Sequence, residues 1–385
     1  MKKELELYIH IPFCVRKCAY CDFLSSSQSD EIIEKYVLSL LDEIRVHATN
    51  KNLSLNHVVT SVFVGGGTPS ILNVTQIQRI FEAVKAVFLF SENAEITIEA
   101  NPGTVTKEKL LTYRACGINR ISFGLQSTNN EELKLLGRIH TYEEFLESFR
   151  LARDCGFDNI NVDLISAIPK QTLLSWEKTL KQVIVLNPEH ISAYSLIVEE
   201  GTPFASVYGE GCPGERELPS EEEERTIYYH TKELLKEAGY HRYEISNYAK
   251  EGKECRHNLG YWERKDYLGI GLGAASLIHN VRYSNTSDLS RYMKCAKHLD
   301  KIQEDIQVLS EKEQMEEFMF LGLRKMEGVS EIEFEKCFGA KLSEVYGKQL
   351  EKLTIEDLIE RKEGCIRLTE RGIDVSNYVF SEFIN

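Results

Sequence analysis

Three cysteines lie within eight residues near the start of the chain. Cys14, Cys18 and Cys21 follow a short apolar run and have the spacing Cys-x3-Cys-x2-Cys. Thiolates at this spacing can converge from one loop onto an iron or zinc centre. Because a closed structural site takes four ligands, three cysteines predict a centre with one open coordination position, where chemistry can occur. The alternative is a zinc site completed from elsewhere in the chain, for instance by His10.

The composition is that of a globular protein. Of the 385 residues, 42% are hydrophobic and 28% are charged, which allows one large domain with a small appended one, or two domains. The net charge of −14 disfavours broad adhesion to nucleic acid or anionic lipid. Seven of the ten cysteines are scattered singly, as in reduced proteins, and neither a secretory leader nor a membrane-length apolar run is evident. We therefore expect a cytoplasmic protein.

Short apolar strands alternate with amphipathic helices up to about residue 200. Six such repeats predict an α/β fold with a parallel sheet and helices outside it, either an open partial barrel or a doubly wound sheet. The predicted strands are residues 5–10, 61–64, 95–100, 120–124, 159–165 and 190–196, and the predicted helices are residues 30–47, 75–88, 107–116, 141–155 and 173–186.

Polar and glycine residues recur where these strands end. Three glycines and a threonine follow the second strand, Glu99 closes the third, Gln126 follows the fourth, and Asp163 lies late in the fifth. Functional residues gather at the carboxyl ends of strands in either fold. The sequence therefore predicts a site at this edge of the sheet, next to the cysteine loop.

The stretch YIHIPFC that leads into the first cysteine, together with the cysteine spacing, resembles the signature of radical S-adenosylmethionine (SAM) enzymes. The resemblance implies that Cys14, Cys18 and Cys21 hold a [4Fe-4S] cluster and that SAM chelates the fourth iron. It also implies a radical SAM partial (β/α)6 barrel over residues 1–200. An extension with a lid would follow over 201–310, and a mostly helical, winged-helix-like small domain over 311–385.

Within the superfamily, the stretch is similar to the branch of oxygen-independent coproporphyrinogen III oxidases and HemW heme chaperones. Glycines let the backbone approach a ligand closely. Matched residue by residue, the branch implies nine contacts to SAM: Tyr8, Gly66, Gly67, Thr68, Glu99, Gln126, Arg138, Asp163 and Ile197.

Two features separate the chaperones from the oxidases in this resemblance. The oxidases carry a fourth cysteine two positions after the third, where this chain has Phe23. The segment HNLGYW matches the HNxxYW motif, which in HemW-like proteins is associated with heme. A histidine can ligate heme iron, and aromatic rings can pack on a porphyrin. The heme residues predicted in this way are His257, Asn258, Tyr261 and Trp262.

The remaining segments are less distinctive. Residues 199–220 are rich in Gly, Pro and Glu and are predicted to form a loop or lid, followed by a helix over 220–238 and a strand over 240–246. The C-terminal pattern, two helices and a short strand, is typical of winged-helix domains. The acidic helix EKEQMEEF argues against nucleic acid as its partner and favours a structural lid or docking surface.

The sequence thus predicts a heme chaperone that uses a SAM-ligated cluster and passes heme to respiratory hemoproteins, with transient contact to membrane proteins, as a monomer or homodimer. The alternative is oxidative decarboxylation of coproporphyrinogen III to protoporphyrinogen IX. Phe23 and the HNxxYW motif argue against that activity, so we expect none.

Overall fold

The computed structural model describes residues 2–48 and 56–384, and its largest element is a 12-stranded sheet. Six parallel strands lie side by side in chain order at its centre. A doubly wound sheet would reverse its order at a switch point, so this order confirms the open partial (β/α)6 barrel. The strands are β1 (Lys3–Ile11), β2 (His57–Gly66), β3 (Phe90–Ala100), β4 (Arg120–Gln126), β5 (Ile160–Ser166) and β6 (His190–Ser195).

Helices follow the strands, and their first residues are set by side-chain caps. Asn73 and Thr141 accept backbone N–H groups of the helices they precede, each in a capping box. The helix predicted at residue 75 therefore starts one residue earlier, whereas the helix predicted at Asp30 starts there, after the cap of Ser29. The helices are α1 (Asp30–His47), α2 (Val74–Val87), α3 (Lys107–Ala115), α4 (Asn130–Leu135), α5 (Tyr142–Asp154) and α6 (Leu173–Leu186).

Side chains alternate between the two faces of the barrel strands. In β1, Leu5, Leu7 and Ile9 are fully buried in the apolar core, while Glu6 and His10 alternate with them and face the barrel interior. The interior is therefore polar, and its groups must be satisfied by one another or by whatever closes the barrel.

The segment after β6 extends both edges of the same sheet. Its helices α7 (Ala205–Tyr208) and α8 (Glu221–Glu237) precede β7 (His241–Arg242) and β8 (Asn247–Ala249), of which β8 pairs antiparallel with β6. The single strand predicted over 240–246 is wrong. The chain turns there, because the Glu244 carboxylate accepts the Ser246 N–H and the Asn247 amide.

A short helix then closes the floor of the barrel, at the amino ends of the strands. This helix, α9 (Arg256–Trp262), was not predicted from the sequence. Glu95 accepts the backbone N–H groups of Arg256 and His257 at 3.2 and 3.3 Å, and Gly260 lies against the Glu6 carboxyl. The helix thus supplies two backbone donors to a buried carboxylate, which lowers the cost of burying it.

The opposite edge is built from β9 (Tyr267–Ile270), parallel to β1, and the antiparallel strands β10 (Ala275–Ile278), β11 (Val281–Asn285) and β12 (Gln303–Val308). Two short helices, α10 (Leu289–Cys295) and α11 (Leu299–Ile302), connect the last two strands.

The C-terminal part has its own apolar core, centred on Phe334, Leu353 and Phe383. It is mostly helical, but among the described residues it contains five helices instead of the two predicted. The elements are α12 (Glu311–Gly322), β13 (Val329–Ser330), α13 (Glu331–Phe338), α14 (Leu342–Ile355), β14 (Ile359–Lys362), β15 (Cys365–Leu368), α15 (Glu370–Asp374) and α16 (Ser376–Ser381). In the described parts of the chain, every helix is too short or too polar to cross a membrane.

The contact between α9 and the barrel floor predicts a mutational effect. A Cβ on Gly260 would lie 2.0 Å from a Glu6 carboxylate oxygen that has no room to move, because Glu6 is buried. We expect Gly260→Ala to lower the free energy of unfolding by roughly 1–3 kcal/mol in urea denaturation. The matched control is Gly347→Ala in α14, where a Cβ meets nothing within 4 Å, so it should be neutral or slightly stabilising. Equal stability of the two variants would contradict a tightly seated α9.

Candidate functional site

A cavity of about 490 Å³ opens at the carboxyl ends of the barrel strands, beside the cysteine loop. It brings together the three cysteines and most of the other residues predicted for the site. Those that line it are Cys14, Cys18, Cys21, Gly66, Gly67, Thr68, Glu99, Gln126, Arg138, Asp163 and Ile197. The position agrees with the rule that parallel sheets bind ligands at this edge.

Backbone hydrogen bonds hold the cysteine loop at both ends and in its middle. The Cys14 N–H donates to Ser26 O and the Ser26 N–H to Pro12 O, at 3.1 and 3.0 Å. The Ala19 N–H donates to Leu136 O at 3.1 Å, just before Arg138. The thiols are therefore presented by a loop that the protein itself holds in place.

A chain of side chains joins two of the thiols through the strand ends. The Thr68 hydroxyl donates to Cys14 Sγ at 3.4 Å, and the Asn101 amide donates to the Thr68 hydroxyl at 2.9 Å. Arg138 Nη2 donates to Asn101 Oδ1 at 2.7 Å, while its Nη1 donates to Cys18 Sγ at 3.5 Å. Donors aimed at sulfur stabilise thiolates, so the network suits thiolate ligands.

The three sulfur atoms are not gathered as closely as the ligands of one zinc ion. Ligands of one tetrahedral zinc with Zn–S bonds of 2.3 Å lie about 3.8 Å apart. Cys14, Cys18 and Cys21 do not form a set of ligand atoms within 4.8 Å of one another. His10, the fourth ligand considered for zinc, is engaged at both ring nitrogens, by the Tyr8 hydroxyl and Leu24 O, each at 2.9 Å. The donor set thus fits a polynuclear cluster better than the zinc alternative.

Two glycines allow the chain to pass close to the cysteine loop. A Cβ on Gly66, which has φ +113°, would lie 2.5 Å from the His10 ring, and one on Gly67 would lie 2.6 Å from Phe13 O. Glycine at both positions therefore lets the end of β2 pack against His10 and the Phe13 backbone, beside the cavity that both glycines line.

Two carboxyl groups form the acidic side of the cavity. Glu99 accepts the Gly66 N–H at 3.1 Å, and burial, with Asp163 nearby, raises the pKa of Glu99 to about 8. Asp163 accepts the Ser122 hydroxyl and the Asn161 amide, both at 2.8 Å, and burial raises its pKa as well. Both groups favour a cationic ligand that stabilises their ionised forms.

Two predicted SAM residues have different surroundings from those expected. Among the described residues, Tyr8 is not part of the cavity wall: its hydroxyl contacts His10 Nδ1, and its ring stacks on Phe63 with centroids 6.5 Å apart. Arg138 lines the cavity, but Nη2 already donates to Asn101 and to Gly124 O. Its Nε is buried without a hydrogen-bond partner.

Several further residues that line the cavity were not predicted from the sequence. Ser122 lies two residues before Gly124 in β4, and Tyr194 lies two residues after Ser192 in β6. Because side chains two residues apart in a strand share a face, this alternation could have indicated both residues. Tyr20 lies inside the cysteine loop and packs against Phe204 of the following segment, which no local pattern indicates. The lining residues not predicted for this site are Arg16, Tyr20, Asp22, Ala100, Asn101, Ser122, Gly124, Ile165, Tyr194, Ser195, Leu196 and Glu199, together with Phe23, which was selected only for distinguishing the two families.

The predicted heme residues lie on α9, on the floor of the barrel and away from this cavity. His257 is 1% exposed, and its ring nitrogens lie 2.8 Å from the Ser61 hydroxyl and 3.0 Å from the Tyr261 hydroxyl. Burial lowers the pKa of His257 to about 3, so the ring is neutral. The guanidinium of Arg324 lies over the Trp262 ring, with its Cζ 4.4 Å from the ring centroid. This cation–π contact links the HNxxYW motif to the C-terminal part. Asn258 is the fourth member of this helix.

Comparison with known proteins finds two family models in the chain. The model of the radical SAM superfamily matches residues 8–183, and that of the HemN C-terminal domain matches residues 309–375. The heme chaperone HemW of Lactococcus lactis is 35% identical over 384 residues, which cover 100% of this chain and 98% of the relative. The heme chaperone HemW of Escherichia coli is also 35% identical, with 96% and 95% covered.

The fold also matches a solved structure. Coproporphyrinogen III oxidase (HemN) from Escherichia coli, described as a radical SAM enzyme, superimposes with a TM-score of 0.86 and 25% identity, over 99% of this chain and 90% of that one. The barrel, the cysteine loop and the C-terminal part therefore occur together in a protein of known structure.

The raised pKa of Glu99 predicts pH-dependent binding of SAM, which is a cation at its sulfonium. Because the carboxylate form becomes populated only as the pH approaches about 8, affinity should rise by up to about tenfold per pH unit below that value. Anaerobic equilibrium dialysis of SAM against cluster-loaded protein from pH 6.5 to 9 measures this. Glu99→Gln should flatten the profile relative to the wild type, whereas Glu92→Gln, an exposed position on the same strand, should not. Identical profiles for Glu99→Gln and the wild type would exclude Glu99 from the cation site.

Proposed function

Because the chain belongs to the HemW family of radical SAM proteins, we propose that it is a heme chaperone that binds heme and delivers it to hemoproteins. The observation that carries this proposal is similarity along almost the whole chain, at 35–37% identity, to the heme chaperones HemW of several bacteria. The proposed acceptors are respiratory hemoproteins, including membrane cytochromes.

The cavity at the strand ends is the proposed cofactor site. Cys14, Cys18 and Cys21 would hold three irons of a [4Fe-4S] cluster and leave the fourth for SAM. When both are bound and an external reductant supplies one electron to the cluster, the pair would support cleavage of a carbon–sulfur bond of SAM into methionine and a 5′-deoxyadenosyl radical. Glu99 and the bare backbone of Gly66 and Gly67 would orient SAM.

The remaining lining groups would confine the ligand. Thr68 and Arg138 would hold the thiolates, Asp163 and Gln126 would bind polar groups, and Ile197 would cover the ligand from the outer edge. Gln126 has a positive φ of 71°, which is uncommon for a residue with a side chain and directs its amide at the strand end into the cavity wall.

The oxidase activity is the weaker candidate, because this chain has Phe23 at the position where the oxidases carry their fourth cysteine. The Phe23 side chain lines the cavity and is 65% exposed, so a large apolar group takes the place of a thiol at the mouth.

The HNxxYW helix is the second part of the proposal. For His257 to ligate heme iron, its ring must give up the contact with Ser61 or Tyr261 and become exposed. We propose that α9 does so by moving away from the floor of the barrel when heme binds. Asn258, Tyr261 and Trp262 would then flank the porphyrin.

The chain's chemistry also supports a cytoplasmic setting. All ten cysteines are free thiols, and an exposed iron–sulfur centre is stable only where thiols stay reduced.

One assay separates the chaperone from the oxidase. Cluster-loaded protein is incubated anaerobically with SAM, a reductant and either heme or coproporphyrinogen III. We expect stoichiometric heme binding, seen in the absorption spectrum, and no conversion of coproporphyrinogen III, followed by chromatography. Formation of the product with two vinyl groups would contradict the proposal. The same assay on Phe23→Cys tests whether the thiol alone is what the oxidase activity lacks.

Substitution of His257 tests the heme ligand. His257→Ala should shift the absorption spectrum of bound heme, because an axial nitrogen is lost. The matched control is His190→Ala, which removes another buried histidine with both ring nitrogens engaged, by Asn161 and Tyr243, outside the motif. Both variants should lose stability, but only the first should change the heme spectrum. If both spectra equal that of the wild type, the motif holds the barrel floor and does not ligate iron.

A further inference from the structure

A second group of metal-ligating side chains lies on the floor side of the barrel, away from the cysteine cavity. His57 begins β2, Asp266 directly precedes β9, and His279 is in the turn between β10 and β11. The amino ends of β2 and β9 flank that of β1, where Lys3 pairs with His57. Neither the cofactor cavity nor the HNxxYW helix includes these three residues.

The distances in this group are those expected between ligands of one ion. Asp266 Oδ2 lies 3.4 Å from His57 Nε2 and 3.2 Å from His279 Nδ1. Two ligands of a tetrahedral zinc ion with bonds of 2.0–2.1 Å are about 3.3–3.4 Å apart. The ring nitrogens of His57 and His279 are also near each other, because all three ligand atoms lie within 4.8 Å of one another.

The protein orients Asp266 and His279 before any ion binds. Asp266 Oδ1 accepts the backbone N–H of His279 at 2.9 Å, which directs Oδ2 towards the two imidazoles. The His279 backbone is left-handed, with φ 52°, followed by Asn280 with φ 63°, so the tight turn directs its ring back over the strands. The two imidazole centroids are 5.2 Å apart. A carboxylate fixed between two imidazoles is a preorganised ligand set.

The three side chains become more exposed to solvent from His57 through Asp266 to His279. The His57 side chain is 1% exposed, Asp266 is 16% exposed and His279 is 46% exposed. A bound ion would thus have two protein ligands on the inner side and an open position for water on the solvent side, the pattern of a three-ligand site.

We propose that His57, Asp266 and His279 bind one divalent transition metal ion, with Zn²⁺ the best fit to two imidazoles and a carboxylate. The ion ties the start of β2, the start of β9 and the β10–β11 turn together. Lys3 Nζ, 3.4 Å from His279 Nδ1, is the competing cation, and its exposed side chain moves out when the metal enters. The proposal does not rest on the heme function, because its three residues lie outside the HNxxYW helix, although both are on the floor side of the barrel.

The test uses the full chain with its iron–sulfur cluster loaded, under anaerobic conditions, so that Cys14, Cys18 and Cys21 are occupied. Zn²⁺ is titrated by calorimetry, and Co²⁺ serves as a spectroscopic reporter. We expect one equivalent bound and a rise in melting temperature on binding. The Co²⁺ complex should show d–d bands without thiolate charge-transfer absorption, because the ligands are nitrogen and oxygen.

Variants then assign the residues. His279→Asn keeps a residue that tolerates the left-handed turn, and Asp266→Asn keeps the acceptor for the His279 N–H. Each should weaken Zn²⁺ binding by roughly tenfold or more, without loss of stability in the metal-free state. His298→Asn, an exposed histidine outside the group, is the control and should bind as the wild type does. Lys3→Gln should tighten binding, since the competing cation is removed.

Three results would overturn the proposal. One is the absence of a bound equivalent in the wild type. Another is one equivalent of Zn²⁺ that still binds with unchanged affinity in His279→Asn and Asp266→Asn. Thiolate charge-transfer bands in the Co²⁺ complex would also overturn it, because the ion would then be bound by cysteines outside the group.

Discussion

The hydrogen-bond chain from Cys14 through Thr68, Asn101 and Arg138 to Cys18 is the interaction on which the site depends. Three thiolates on one loop repel one another, so they stay together only if positive charge and donors face them. Thr68 and Asn101 follow the ends of β2 and β3, while Arg138 follows α4. Thr68 and Asn101 are neighbours because parallel strands in chain order place their carboxyl ends along one rim. The barrel thus brings residues from motifs that are far apart in the sequence together in one cavity.

The polar barrel interior imposes a second constraint, at the floor. Arg120 is buried and interacts electrostatically with Glu95 below and Asp163 at the cavity. Such charges are costly to bury unless each finds a partner. Glu95 finds its partners in the first N–H groups of α9, while burial raises the pKa of Glu6 to about 9 and keeps it neutral beside Gly260. The HNxxYW helix therefore completes the barrel, whatever else it binds.

The sequence predicted the parts of the fold in which local pattern and tertiary structure agree. The strand–helix repeats, the cap at Thr141 and the clustering of residues at strand ends all follow from short-range periodicity. It did not predict α9, because seven residues span too few turns for a helical pattern to be distinguished. The contact of Tyr8 with the cofactor stays a prediction, and in the structure the Tyr8 hydroxyl contacts His10 Nδ1. Nor could the sequence bring His57 to Asp266, 209 residues away, since only the sheet order makes them neighbours.

The central claim, that three cysteines leave one iron of the cluster open to SAM, can be measured directly by electron paramagnetic resonance. The reduced, cluster-loaded protein is recorded with and without SAM. If SAM binds the fourth iron, the one that no cysteine ligates, the spectrum of the reduced cluster changes until one SAM is bound per cluster. The change is lost when an excess of a competing ligand displaces SAM. A spectrum that stays the same at saturating SAM would contradict the account.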